Sequence, residues 1–528
     1  MLRRLGRAAV ILAALSWAPA ALAHAALVGA EPADGAIVAA APRQLVLTFD
    51  EPVAPITLSL SGKGDKGAAL TDWRRQGNAI VITPPGAIAP GTHALSWRVV
   101  SLDGHPVGGA VVFSVGAPSA RPPAAEAAAT PTPVDAAIWL TRLVLYLGLF
   151  VGAGGAFFRA STAGGRLPRA AERAVAGAAA AGLAAVVLSV GLQGLDAYAR
   201  PLAALGSAMV WREGIANAYG VTAAIAAAAL VLALASLGVG SARRILAGLA
   251  LLGVGLALAA SGHASAATPQ ALTRPAVFLH ATALAWWLGA LVPLAFLVGM
   301  RDPAHLPALM RFSRRAPYAV AIVAACGIAL AVVQIGSLAA IPATAYGRLF
   351  AAKLALVLAL LALAAWNRWR LTPALVAGQA GAAPAMVRSV VAETVVAALI
   401  LGVVAGWRLT PPPRALAAAA EAPATLDLEA PAGMAMLTLT PGRAGPIAIA
   451  VALMAPNGQP LAAKGVTLVL SDPTAGIGPI RRAAVAAGPA QWRVAGLVVP
   501  AAGTWHVHLD ILIDDFTALP LDGKVALR

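Results

Sequence analysis

Between residues 135 and 410 the chain reads as eight apolar runs parted by short polar loops. They lie near 136–158, 173–195, 214–238, 243–262, 275–299, 316–339, 348–370 and 388–408. A bilayer core asks for about 20 apolar residues per helix, so this pattern predicts an eight-helix transmembrane bundle. On either side the pattern shifts to short alternations. "QLVLTF", "AIVIT", "HALSWRVV" and "AVVFSV", within 24–116, are β-rich runs broken by Pro and Gly, and they predict a small β-sandwich. Residues 427–528 return to strand-like alternation with turn signals such as "PNGQP", which predicts a second sandwich. Pro/Ala-rich stretches at 117–134 and 411–426 read as linkers. The predicted fold class is multidomain: an all-β sandwich, an α-helical transmembrane bundle, and a C-terminal β-sandwich.

The first residues add a compartment. Arg3, Arg4 and Arg7 precede the apolar run "AAVILAAL", and Ala21-Leu22-Ala23 fits a small-residue cleavage site. This is the layout of a secretory signal peptide over 1–23, with an apolar run too short to span a bilayer. Cleavage after Ala23 frees the α-amine of His24. A neutral amine and an imidazole on one residue can chelate a metal together, a grip suited to Cu(II).

Composition and charge sharpen the topology. Of 528 residues, 60% are hydrophobic and 11% charged, far from the balance of soluble proteins. A net charge of +16 would suggest nucleic acid in a soluble chain. Here, however, most Arg falls in loops between apolar runs, so the expected partner is the lipid bilayer and not nucleic acid. With the first sandwich outside, Arg159, Arg166, Arg169, Arg173, Arg243, Arg244, Arg301, Arg311, Arg314, Arg315, Arg368, Arg370 and Arg388 fall inside. Only Arg200, Arg212, Arg274 and Arg348 fall in outer loops. That asymmetry obeys the positive-inside rule and agrees with the signal peptide, and eight spans return the chain outside, so both sandwiches are expected to face the same compartment. A single cysteine, Cys326, excludes an intrachain disulfide.

The stretch "SLDGHPVGG" at 101–109 places Asp103 and His105 two apart, on one face of an extended segment. Joined to the amine and imidazole of His24, they would make a set of three nitrogens and one oxygen, a tetragonal Cu(II) environment. The alternative is a plain Asp-Gly turn with an exposed histidine. At this point residues 24–116 resemble the periplasmic copper-binding CopC domain. The shared features are a histidine directly after the signal peptide, "EPADGA", "LTFDEPV" and "WRVVSLDGHPVGG" followed by "FSV". The resemblance implies Cu(II) held by His24, Asp103 and His105, with the Glu51 carboxylate behind them. Two features depart from some members: the chain reads His24-Ala25-Ala26, with no second early histidine, and no Met occurs between residues 2 and 208. A Cu(I) site in this sandwich is therefore not expected. His93 lies outside the motif and reads as structural.

The membrane part resembles the CopD family through "SGHA" (261–264), "LHATALAWWLGALVPL" (279–294), "FSRRAPYAV" (312–320) and "YGRLFAAKLALVLALLALAAWNR" (346–368). Polar groups within spans are costly, so each needs a reason. His263 and His280 belong to consecutive spans near the outer face, and are expected to approach each other as a membrane copper site; the alternative is two interfacial histidines. Met209 is a further soft-ligand candidate. Lys353 is expected to snorkel to the outer interface. Arg142 and Glu393 read as structural pairing groups, Gln193 and Gln334 as helix-packing groups, Cys326 as a packing residue and His305 as solvated.

In the last domain "TWHVHLDILIDDF" puts His506 and His508 on one strand face, and "GMAM" does the same for Met434 and Met436. A His/Met mixture could hold copper, although strand alternation also makes such pairs by chance. The resemblance to CopC and CopD implies an inner-membrane copper transport and homeostasis protein, not an enzyme. Its first domain would capture Cu(II) and pass copper to the bundle for uptake, with periplasmic copper carriers as further partners. Two alternatives are an oxidative enzyme built on the N-terminal copper brace and a membrane-bound copper sensor without transport. No Gly-x-x-x-x-Gly-Lys motif is present, so transport would run on a gradient or on carrier exchange.

Overall fold

The computed structural model describes residues 25, 27–32, 36–38, 40–49, 51–62, 67–101, 106–117, 119, 132–238, 240–262, 265, 267–410, 412–414, 423–457, 459–473 and 475–527. They form two compact units: a helical one within Thr130–Arg414, and one that holds both β regions.

The first β region has strands β1 (Leu27–Glu31), β2 (Ile37–Val38), β3 (Leu45–Phe49), β4 (Ala54–Ser61), β5 (Ala68–Ala69), β6 (Trp73–Gln76), β7 (Ala79–Ile82), β8 (Gly91–Val100) and β9 (Pro106–Val115). All four β-rich runs of the sequence are strands. Two sheets, in the orders β1-β3-β7-β6 and β2-β9-β8-β4-β5, face each other. Alternation turns Leu45, Leu47 and Phe49 of β3 inward, where they meet Trp97 and Phe113 of the other sheet. Phe49 and Trp97 pack edge to face, with centroids 5.1 Å apart. Gly109 is the cross-strand partner of Trp97, and a Cβ there would run into the indole ring. The glycine in "PVGG" thus lets the β8–β9 pair close over Trp97.

The C-terminal β region holds β10 (Ala424–Ala430), β11 (Gly433–Thr440), β12 (Gly445–Met454), β13 (Gly465–Asp472), β14 (Ile477–Ala483), β15 (Val485–Gly488), β16 (Gln491–Val499), β17 (Gly503–Leu512) and β18 (Ala518–Leu527). Sheets β10-β11-β12-β16-β15 and β14-β13-β17-β18 enclose one apolar core centred on the fully buried Trp505. The two β regions meet through edge strands: Gly29 of β1 lies so close to β10 that a Cβ on it would sit 3.2 Å from Thr425 Oγ1.

Among the described residues, eight helices are long and apolar enough to cross a membrane. They are Pro133–Ser161, Arg169–Ala197, Ala218–Ser236, Arg243–Ala260, Gln270–Gly299, Pro303–Ile335, Ala345–Val376 and Ala382–Gly406. The number matches the hydropathy pattern, while most boundaries differ from it by a few residues, and two of the shifts have a local cause. The third span begins at Ala218, where Asn217 Oδ1 accepts the Tyr219 N–H at 3.0 Å, and residues 208–216 form a separate short helix before it. The sixth begins at Pro303, well before residue 316, because Arg311, Arg314 and Arg315 are good helix formers and let the helix start earlier than the apolar run. Arg311 is anchored there, donating through Nη2 to Thr162 O at 2.6 Å.

Small residues let the first spans approach closely. Span one is π-helical over Gly148–Gly154, and there Gly148 abuts Gly182 of span two, while Gly154 abuts Gly289 of span five. A Cβ on Gly182 would lie 2.8 Å from Gly148 Cα, so side chains are excluded from this crossing.

Candidate metal centre

Strand register gathers one end of the first sandwich. Leu27 pairs with Phe49, so β1 begins where β3 ends. Ala54 pairs with Val100, and Val100 with Pro106, so β4 begins where β8 ends and β9 starts. Ala25, Glu51 and Ser101 flank these strand ends and are all buried, Glu51 being only 2% exposed. A carboxylate so far out of water is costly unless it meets hydrogen bonds or positive charge. The proposed copper ligands next to these positions, His24, Asp103 and His105, lie outside the described residues. Among the described residues no group of three or more His, Cys, Asp or Glu is placed to hold a metal.

His93 is structural, as its position outside the motif suggested. It is 8% exposed, its Nε2 donates to Ala89 O at 2.7 Å, and its ring lies 5.8 Å from that of Phe113.

In the helical unit, His280 of span five faces span six. Its Nδ1 lies 2.9 Å from Val323 O, and Gly327 leaves room for the ring. A carbonyl only accepts, so Nδ1 carries the proton of the neutral ring and the Nε2 lone pair is left for a metal. The face of span five that packs on span four is instead Phe278 and Thr282, which close against Gly255. Two residues turn a helix by about 200°, so the imidazole points away from span four. It is level with Gly255, five residues inside the Ala260 end of span four, roughly 7.5 Å along the axis. His263, the expected partner, lies outside the described residues.

Other polar residues of the spans have defined contacts. Lys353 Nζ sits 4.6 Å over the Trp407 ring, and Tyr346 stacks on the same indole at 5.1 Å. The ammonium thus rests on an aromatic face at the end of span eight. Gln334 accepts from Arg414 Nε at 2.9 Å, and Gln193 is buried at 4%. Glu393 is buried at 3%. Met209 is exposed on the short helix before span three.

Comparison with known proteins bears on both halves of the chain. A CopC domain model matches residues 27–116, and a model described as copper resistance protein D matches 306–407. Copper resistance protein C of Xanthomonas campestris pv. juglandis is 36% identical over 126 residues, 21% of this chain and 96% of the relative. The chain is a CopC/CopD fusion. Copper transport protein CutJ of Bacillus subtilis (strain 168) is 28% identical over 376 residues, 65% of this chain and 67% of CutJ. Among solved structures, CopC from Methylosinus trichosporium OB3b is 29% identical, covering 19% of this chain and 98% of its own, with a TM-score of 0.16. The CopD match spans the last three helices, so the "SGHA" and "LHATALAWW" motifs precede it.

Two features of this fusion escaped sequence reading. Arg408, at the end of span eight, has a side chain only 7% exposed and forms ion pairs with Asp196, at the end of span two, and with Asp135, at the start of span one. A charged residue at each of three span ends was the available signal, but only packing brings them together. In the C-terminal sandwich, the His and Met pairs lie on strands of opposite sheets, β17 and β11, and both project outward from the common core. The mixed His/Met site is therefore not formed. His508 instead bridges two carboxylates, with Nδ1 2.7 Å from Asp522 and Nε2 3.0 Å from Asp510. The Asp522 hydrogen bond holds its pKa above the usual histidine value, against partial desolvation and with help from Asp510.

Proposed function

We propose that the chain captures Cu(II) in the bacterial periplasm and passes copper to its membrane helices for uptake. The observation that carries the reading is the buried Glu51 at the end of the CopC sandwich where strand register gathers the residues flanking His24, Asp103 and His105. After removal of 1–23, the His24 amine and imidazole, the His105 imidazole and the Asp103 carboxylate bind the incoming ion, and Glu51 orients a ligand from behind. Copper is the cargo here, not a resident cofactor.

The domains of this reading are 24–116, the linker 117–134, the helical part 135–410, the linker 411–426 and the sandwich 427–528. The Arg-rich loops face the cytoplasm, and both sandwiches face the periplasm. The first linker's 18 residues reach at most about 55 Å at roughly 3.1 Å per residue, enough to swing a capture domain to a membrane mouth. Tethering raises the local donor concentration toward the millimolar range. His263 at the mouth and His280 deeper, with its Nε2 lone pair open, act as successive acceptors; the turned ring of His280 favours a relay over a chelating pair. Periplasmic copper carriers supply the first domain. The named relatives are copper resistance and copper transport proteins, which supports a transporter over an oxidative enzyme.

Copper flux into sealed vesicles of known orientation tests the reading. The intact chain should import copper, the chain lacking 24–116 should import it more slowly at low copper, and the His263→Ala/His280→Ala variant should not import it. Unchanged flux in the double variant would remove both histidines from the path. For capture, His105→Ala should weaken Cu(II) binding to the first domain far more than His93→Ala.

A further inference from the structure

The chain contains eight methionines, and three of them share one patch of one sheet. On β11 the inward positions are Ala435, Leu437 and Leu439, so Met434 and Met436 face out. On β12 the inward positions end at Leu453, so Met454 faces out as well. Met434 and Met454 are direct cross-strand partners. Their Cβ atoms are then about 4.5–5.5 Å apart. Met436 is two residues along the same face, roughly 7 Å from Met434 and diagonal to Met454. The side chain has three rotatable bonds and an unbranched end, so three thioethers at these spacings can turn onto one point. Met436 is 40% exposed, which leaves the patch open to exchange.

The surroundings favour a cation. Across the ladder β10 places Glu429 opposite Met434 and Asp427 opposite Met436. Glu31, on β1 of the first sandwich, is close enough to Asp427 for their charges to interact. The nearby edge strand β10 lies against β1 at Gly29 and Thr425. Two carboxylates beside three thioethers, with a third from the neighbouring sandwich, create a local negative potential without supplying a hard ligand cage. His506 and His508 belong to the opposite sheet and take no part.

We propose that Met434, Met436 and Met454 form a Cu(I) site of thioether ligands on the outer face of the C-terminal sandwich. Soft, uncharged sulfur selects Cu(I) over Cu(II) and over the hard divalent ions. The sandwich thereby supplies the soft ligands that the first domain lacks, and it presents them on the side that meets that domain. The assignment depends neither on the ligands of the first domain nor on transport.

The test uses the full chain in detergent under anaerobic conditions, titrated with Cu(I) in competition with a chromophoric Cu(I) chelator. Wild type should hold one Cu(I) that the Met434→Leu/Met436→Leu/Met454→Leu variant has lost. X-ray absorption should lose the matching copper–sulfur scattering. Leucine keeps size and apolar character at outward positions, and an unchanged circular dichroism melt verifies the fold. Each single replacement should weaken the site by more than the roughly 10–100-fold that removal of an outer partner costs. Met310→Leu, an exposed methionine of span six, is the control and should bind as wild type does. A triple variant that keeps the full Cu(I) complement, or a Met310→Leu variant that loses as much, overturns the assignment. The readout is independent of copper flux, so a failure of transport leaves it intact.

Discussion

Replacing Gly109 with alanine should destabilise the first sandwich by about 1.5–3 kcal/mol, as overpacking of a filled core does. The perturbation is one methyl group. It would enter the space occupied by the Trp97 ring, which is 6% exposed and lies edge-on to Phe49. Neither side can give readily: Trp97 and Gly109 are paired in the middle of the long β8–β9 ladder, and Phe49 closes the ring from the opposite sheet. Swinging the indole aside uncovers on the order of a third of a side chain that buries roughly 200 Å², worth about 1.5–2 kcal/mol at about 25 cal/mol per Å². The assay is urea unfolding of isolated residues 24–116, the piece that holds the CopC domain match over 27–116, followed by Trp fluorescence. With a slope of roughly 1–3 kcal/mol per molar urea, the midpoint should fall by about 1 M. Gly86→Ala, where a Cβ meets nothing within 4 Å, is the control and should move stability by less than about 0.5 kcal/mol. Because Val100 and Pro106 bound the connection carrying Asp103 and His105, Cu(II) affinity should fall together with stability. A Gly109→Ala domain as stable as the control would refute the packing argument.

His93→Ala should cost the first sandwich about 1–3 kcal/mol by removing the buried hydrogen bond to Ala89, while Cu(II) affinity in a competition titration stays as in wild type. The His508 bridge has a pH signature. Its pKa is raised in the folded state, so its stabilisation is full below the ordinary histidine value near 6.5 and fades as pH rises through the raised one. The advantage of wild type over His508→Gln, about 0.5–1 kcal/mol for a side chain a third exposed, should be seen in thermal melts at pH 5.5 and shrink by pH 9; an advantage that grows with pH would reverse the assignment. Arg408→Met takes the guanidinium from the buried Asp196 and should cost roughly 3–5 kcal/mol, measured as a lower melting temperature in detergent. An unchanged melt would mean the three span ends are held by other contacts.

The spans were legible in the sequence because a bilayer makes each helix satisfy its own backbone, so a long apolar run needs little else to declare itself. The strands were legible where alternation was strong, as in "QLVLTF" and "AVVFSV", since one face of each must be apolar. The CopC domain was legible in the ordered motifs "EPADGA", "LTFDEPV" and "WRVVSLDGHPVGG", which lie within the residues that the CopC domain model matches. Tertiary structure decided what depends on rotation and register. Hydropathy counts His280 as a polar interruption, and only helix packing turns its ring to Val323 rather than toward span four. A charge at the end of span eight marked Arg408 as needing a partner, but not that the partner is Asp196, more than two hundred residues earlier. "GMAM" and "HVH" looked like possible partners in one dimension. Two sheets around a shared core send them to opposite faces, and cross-strand pairing instead brings Met454, eighteen residues after Met436, beside Met434. A strand's own residues state which side is apolar, but which strand lies next to it is set by the long-range pairing that closes the core.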